Sequence, residues 1–304
     1  MNQQFSHLPG RALRHRFDGP FYRRLFLGGV RAMSPRLRRV TMPFWAGIFF
    51  VLVPRARRAV QSNLDQVAGK LGIVSTTRRA FRLFVNYAQA LTDMYALHLG
   101  RPAKMLVHEQ GKDHVEVLRL KGRGAVMLTG HMGAWQLAPF LMAQRDFPPF
   151  TMAMAEEPNR ALGEFEARLR EKFRIVYTTR SPFSSLELAR LLRRGELVGM
   201  QLDRHLGGAG IDLPFCGRLA RFPVGPAILA RAVGCPLLPV FIMAEHRQGL
   251  LELRFCIEQP IDVANTDDRD ADVTSATAKV VSIYEGYVRR YPEHWFNFYK
   301  FWPS

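Results

Sequence analysis

Six short apolar runs between residues 125 and 257, separated by stretches of helical spacing, leave this chain one main choice of fold. Ala125–Thr129, Phe150–Ala155, Ile175–Thr178, Leu197–Leu202, Leu237–Ala244 and Leu250–Ile257 read as strands, rich in Val, Ile, Leu and Phe and too short for helices. Apolar residues three to four apart predict helices at Ala134–Arg145, Ala161–Lys172, Ser184–Arg194, Val224–Val233 and Ala271–Arg290. Strands alternating with helices give a sheet covered on both faces, so the expected class is α/β: a mixed central sheet flanked by helices. With no internal repeat and no low-complexity linker, residues 61–304 are expected to form a single α/β domain, with a helical part at 61–115 and the sheet core at 116–304.

Residues 1–60 differ in texture. Twelve Arg stand there against Asp18 alone, and they alternate with large apolar residues such as Phe21, Leu25 and Phe26. The run Phe44–Val53 is closed by Pro54 and Arg55-Ala-Arg-Arg. Ten apolar residues are half of what a bilayer-spanning helix needs, about 20. Apolar helices with Arg flanks suit the lipid interface, and a core helix with a solvated basic edge is the other reading. The whole chain carries +17, which calls for an anionic partner. Nucleic acid is the weaker candidate, because there is no zinc finger, RRM signature or basic helical repeat. Anionic lipid is preferred, and oligomeric state is left open.

Cys216, Cys235 and Cys256 are isolated, with no C-x-x-C pair, so a zinc site, a redox dithiol and a secreted disulfide framework are not expected; the reducing cytoplasmic side fits. The first thirty residues are broken by Arg throughout, which argues against an export signal.

The chemistry is expected after the first predicted strand, in Thr129-Gly-His-Met-Gly-Ala-Trp-Gln-Leu-Ala. Ligands of open α/β sheets bind at the carboxyl ends of strands, where a following helix offers free N–H groups. His131 lies there, and imidazole is the side chain best suited to take a hydroxyl proton near neutral pH. The flanking glycines would let a substrate carbonyl approach, and Gly133 at the expected helix start is the candidate oxyanion donor. A turn histidine bonded only to backbone is the alternative.

Three stretches together resemble the lipid A late acyltransferases and their lysophospholipid-acyltransferase-like relatives, including mycobacterial mannoside acyltransferases. They are Thr129 to Ala138, Gln201 to Arg218 followed by Pro223-Val-Gly-Pro-Ala-Ile-Leu-Ala, and Tyr291-Pro-Glu-His-Trp-Phe-Asn-Phe-Tyr-Lys-Phe-Trp. The resemblance implies a peripheral or monotopic enzyme on the cytoplasmic side of a bacterial inner membrane. It would move a fatty acyl chain from an acyl carrier protein or coenzyme A thioester to a hydroxyl of a lipid or glycolipid, with His131 as base and no cofactor or metal.

The family signature places Asp or Glu five positions after the His, and here that position holds Gln136. A carboxylate orients and stabilises an imidazolium, whereas an amide can only hydrogen-bond. Either another acid supports His131 or the chain is a catalytically silent homologue that binds lipid or acyl carrier. Asp203, at the end of the strand Leu197–Leu202, is the preferred replacement over Asp212, and a turn or cap role is its alternative. Arg180, Arg218 and Arg221 are candidates for substrate phosphates or for solvated surface. Gly207, Gly208 and Gly210 lack the Walker Lys-Ser/Thr, so no nucleotide site is expected there. No G-x-S-x-G elbow is present, which speaks against a serine hydrolase. The aromatic tail from Tyr291 to Trp302 would line an acyl channel, anchor at the interface or close the core.

Overall fold

The computed structural model describes residues 20–70, 72–154, 173–178, 183–204, 209–247 and 250–302. Four helices lead: α1 (Pro20–Ala32), α2 (Pro35–Leu52), α3 (Pro54–Ala68) and α4 (Ile73–His98). After them come β1 (Lys104–Gln110), α5 (Lys112–Leu120), β2 (Ala125–Thr129), α6 (Ala138–Ala143), β3 (Phe150–Met154), β4 (Arg174–Tyr177), α7 (Ser184–Arg193) and β5 (Leu197–Gln201). The chain continues through β6 (Gly210–Phe215), β7 (Arg218–Pro223), α8 (Gly225–Val233), β8 (Leu237–Arg247), β9 (Leu250–Ile257) and α9 (Arg269–Arg290). The helix expected at Ala161–Lys172 lies outside the described residues.

Among the described residues the main sheet runs β1-β9-β8-β2-β5-β3-β4. It is mixed: β8, β2, β5, β3 and β4 are parallel, β9 returns antiparallel to β8, and β1 lies parallel to β9. β2 is central and almost wholly buried, so its residues alternate between two cores. Val126 and Leu128 face the side of α7, α8 and α9, and Ala125 and Met127 face α4, α5 and α6. Helix α9 presents Val273, Ala276, Thr277, Val280, Val281, Tyr284 and Val288 to the first core, a stripe of three- and four-residue steps, and Asp268 caps it by accepting from the Ala271 N–H.

Two elements have no counterpart in the sequence reading. β1 is an edge strand that alternates exposed and half-buried residues, so it offers no apolar run. The β6–β7 hairpin keeps Asp212 and Arg221 outward and turns at Cys216-Gly217, whose φ values of 51° and 81° are both left-handed, as a two-residue hairpin turn demands.

The helix expected from Ala134 to Arg145 is shorter. A 3₁₀ turn at Trp135–Leu137 leads into α6, whose first turn holds Pro139, a residue without the N–H that an α-helix running on from Ala134 would need there. Gly133 is held at φ 59°, and an added Cβ would lie 2.1 Å from the Ile242 oxygen, so the glycine serves backbone packing.

Helix α2 packs on α4 through Phe50, which meets Phe81 and Phe84 edge to face. Much of its other side is open: Val40, Phe44 and Val51 are 77%, 66% and 66% exposed. No single helix among the described residues is long and apolar enough to cross a membrane; α2 and α3 together have the length and composition but are bent by 100°.

The aromatic tail closes the core. Trp295, Phe296, Asn297 and Trp302 are buried, Phe296 and Phe298 stack edge to face on Tyr87 of α4, and Met132 forms a β-bridge with Trp295. Trp295→Ala empties one of the largest buried side chains and is expected to cost about 3–5 kcal/mol, read by urea denaturation.

Candidate active site

Parallel pairing of β2 with β5 sets Thr129 opposite Gln201. The Leu202 N–H continues the ladder to the Thr129 carbonyl at 3.0 Å. His131 and Asp203, each two residues farther along its strand, therefore leave the same end of the sheet side by side. His131 Nδ1 lies 2.7 Å from Asp203 Oδ1, and the His131 N–H donates to Asp203 Oδ2 at 2.8 Å. One carboxylate thus fixes both the ring and the backbone of the same residue.

Two further donors serve this carboxylate. The Tyr284 hydroxyl donates to Oδ2 at 2.8 Å, and Asn297 Nδ2 makes a longer contact of 3.4 Å. The Tyr299 hydroxyl donates to the Asp203 carbonyl at 3.3 Å. Gly130 is required by the same assembly, since a Cβ there would sit 2.3 Å from the Tyr284 ring. The tail holds the other side: Phe296 N–H donates to the His131 carbonyl at 2.7 Å. Trp135 meets the imidazole edge to face at 5.2 Å.

Burial dominates the electrostatics. It pushes the His131 imidazole below its ordinary value; Asp203 opposes this and the Arg204 charge adds to it. Burial alone would raise the Asp203 carboxyl, but the charge and hydrogen bonds of His131, together with Arg204, hold it well below the carboxylate range. Tyr284 is raised well above its usual value by burial and by Asp203, so it stays a protonated donor. The consistent resting state is an ionised Asp203 and a neutral His131 that carries its proton on Nδ1. Nε2 is then the free basic atom, on a side chain that is 8% exposed.

The remaining expected site residues fall elsewhere. Gln136 lies in the 3₁₀ turn with its Oε1 buried and unpartnered, and Asp203 occupies the imidazole nitrogen that an acid at that position would orient. Gly133 itself offers no free N–H, being bonded to the His294 carbonyl, so of the helix-start amides expected as oxyanion donors near it, those of Trp135 and Gln136 are left. Asp212 pairs with Arg221 at 3.1 Å across the exposed hairpin, not with His131, and Arg218 is exposed at the hairpin turn. Arg180 lies outside the described residues, as do Gly207 and Gly208 of the glycine-rich stretch. Cys216 and Cys235 are buried, and burial pushes their thiols up to about 12 and about 11, which leaves neither as a thiolate nucleophile.

Tyr284 and Asn297 were invisible as site residues in the sequence. Tyr284 sits in the largely aliphatic stripe of α9, which also holds Thr277, so its phenolic hydroxyl is a weak signal. Asn297 is the one amide within an aromatic run, a polar residue that burial obliges to find a partner.

Residues 18–304 match the family described as bacterial lipid A biosynthesis acyltransferase. The chain belongs to this family. Among curated proteins, the phosphatidylinositol mannoside acyltransferase of Mycobacterium tuberculosis is 32% identical over 141 residues, which is 45% of this chain and 44% of that protein. That match spans less than half of the relative. The enzyme of the same name from Mycolicibacterium smegmatis is 27% identical over 273 residues, 88% of this chain and 85% of that protein. Among solved structures, the 1-acyl-sn-glycerophosphate (LPA) acyltransferase PlsC from Thermotoga maritima has a TM-score of 0.41 and 12% identity, covering 84% of this chain and 98% of that one.

The His131 ring is expected to titrate below pH 6.5, with the Nδ1–H tautomer at neutral pH, in NMR of imidazole-labelled protein. Asp203→Asn removes the charge that favours the imidazolium, so the titration should move lower still; an upward move would contradict the assignment.

Proposed function

We propose that this acyltransferase-family protein moves a fatty acyl chain from an acyl carrier protein or coenzyme A thioester to a hydroxyl of a lipid or glycolipid, with His131 as general base. The observation that carries the reading is the buried His131–Asp203 pair with its second ring nitrogen uncommitted. Nε2 takes the hydroxyl proton as the oxygen attacks the thioester carbonyl. Asp203 stabilises the imidazolium as it forms. The tetrahedral adduct collapses with breakage of the carbon–sulfur bond, and the imidazolium returns the proton to the departing thiolate. Ester and free thiol result, and the balance closes without a metal, a cofactor or a covalent acyl-enzyme. The names of the mycobacterial relatives favour a glycolipid acceptor.

The reaction is placed at the cytoplasmic face of a bacterial inner membrane, with the open face of α2 in the lipid interface. Beside Phe44 and Val51, the start of α4 adds Ile73 and Val74 at 87% and 83% exposure, and Arg36, Arg55 and Arg58 are exposed near the ends of the apolar face. Replacing both Phe44 and Val51 by Ser is expected to reduce co-sedimentation with anionic liposomes at least several-fold. Retention on DNA at matched salt, without liposome binding, would reverse the placement.

Gln136 favours the second reading, a silent homologue that binds lipid or acyl carrier. Transfer of a labelled acyl group from a carrier thioester to membrane lipids separates the two. His131→Ala should abolish turnover, and Asp203→Ala should lower it by about 10²–10⁴. Gln136→Ala should cost less than about tenfold, since the amide makes no bond to the imidazole. Wild-type rates equal to those of His131→Ala would leave the silent reading standing.

A further inference from the structure

An attacking alkoxide leaves negative charge on the thioester oxygen, and the three amides that directly follow His131 are spent elsewhere, which leaves the turn those of Trp135 and Gln136. The N–H of Met132 is donated to Gly130, that of Gly133 to His294 and that of Ala134 to Ile242, at 2.8, 2.9 and 2.7 Å. Three successive backbone donors are spent on holding the loop.

One cation beside the pair is uncommitted. Arg204 follows Asp203 at the carboxyl end of β5; its side chain is half-buried, and its Nε is buried without a hydrogen-bond partner. The neighbouring carboxylate attracts it but makes no hydrogen bond to it: Asp203 Oδ1 is taken by the His131 ring, and Oδ2 by the His131 N–H and the Tyr284 hydroxyl. Arg221, a cation expected at the site from sequence, is instead engaged by Asp212 on the hairpin. The Arg204 charge reaches His131, Asp203 and Tyr299, which places it at the site.

We propose that Arg204 is the oxyanion-binding residue of this site: its guanidinium donates to the thioester carbonyl oxygen as that oxygen gains charge. The assignment rests on the acyl-transfer reading above. Arginine suits the task, because its planar fork presents donors in a fixed direction and stays cationic in a site that is largely closed to water. It also has a cost that can be measured. A cation beside the imidazole disfavours the imidazolium, and Asp203 offsets this.

The test uses the full chain with Arg204→Lys, Arg204→Gln and Arg204→Ala, assayed for acyl transfer from a carrier thioester across pH. Arg204→Gln and Arg204→Ala should lower kcat by about 10²–10³ with KM for either substrate within about threefold, and Lys should recover part of the loss. Among the described residues, the charged and titratable groups around the ring are Asp203 and Arg204 just beyond β5, Tyr284 from α9 and Tyr299 from the tail. With Arg204 removed and the rest intact, the acid limb and the His131 NMR titration should both move up toward 6.5. A loss confined to KM would make Arg204 a substrate anchor and overturn the assignment, as would full-rate Arg204→Ala. A loss with no pH shift and no recovery by Lys would reduce Arg204 to a packing role and overturn it equally. Full activity in wild type alongside any of these leaves the acyltransferase reading in place; absence of transfer by wild type removes both.

Discussion

Everything at this site depends on the placement of one buried carboxylate. Asp203 is 1% exposed, and it keeps its charge there because donors from three separate parts of the chain converge on it. A lone carboxylate in such surroundings would protonate or destabilise the fold. Here the His131 ring, the His131 backbone and the Tyr284 hydroxyl all donate to it, so the acid joins the end of β2 to the end of β5 and to helix α9. The same bonds decide chemistry, since an acceptor at Nδ1 fixes the tautomer and leaves Nε2 basic.

The glycines around His131 have a different purpose from the one their sequence context suggests. Gly130 admits the Tyr284 ring and Gly133 admits the Ile242 carbonyl, each at a distance no side chain would tolerate. They make the loop tight enough for Asp203 to grip it, and they do so by using up its amides. The amides nearest the imidazole are thereby committed to rigidity, and the cation at the neighbouring strand's end is the charge best placed to meet an oxyanion.

Much of the fold was legible: Ala125–Thr129 is a continuous apolar run, as central parallel strands are, and Leu250–Ile257 keeps enough apolar residues around Glu252 and Arg254 to show its limits. Elements with fewer buried residues were not legible. β1 and the β6–β7 hairpin alternate with solvent and read as loops. At the site, His131 and Asp203 could be paired from sequence because both end strands whose apolar pattern was clear. Tyr284 and Asn297 could not, because their partner is more than eighty residues away and nothing local marks a residue whose bond lies across the fold. The missing acid at Gln136 was visible in the sequence, as was Asp203 as its preferred replacement; the strand register supplies the geometry that joins it to His131.

The tail from His294 to Tyr299 supplies the carbonyl that takes the Gly133 amide, the amide that takes the His131 carbonyl, and a hydroxyl on Asp203's backbone. Truncation before His294 would therefore release the imidazole loop on the side away from Asp203, even with the carboxylate in place.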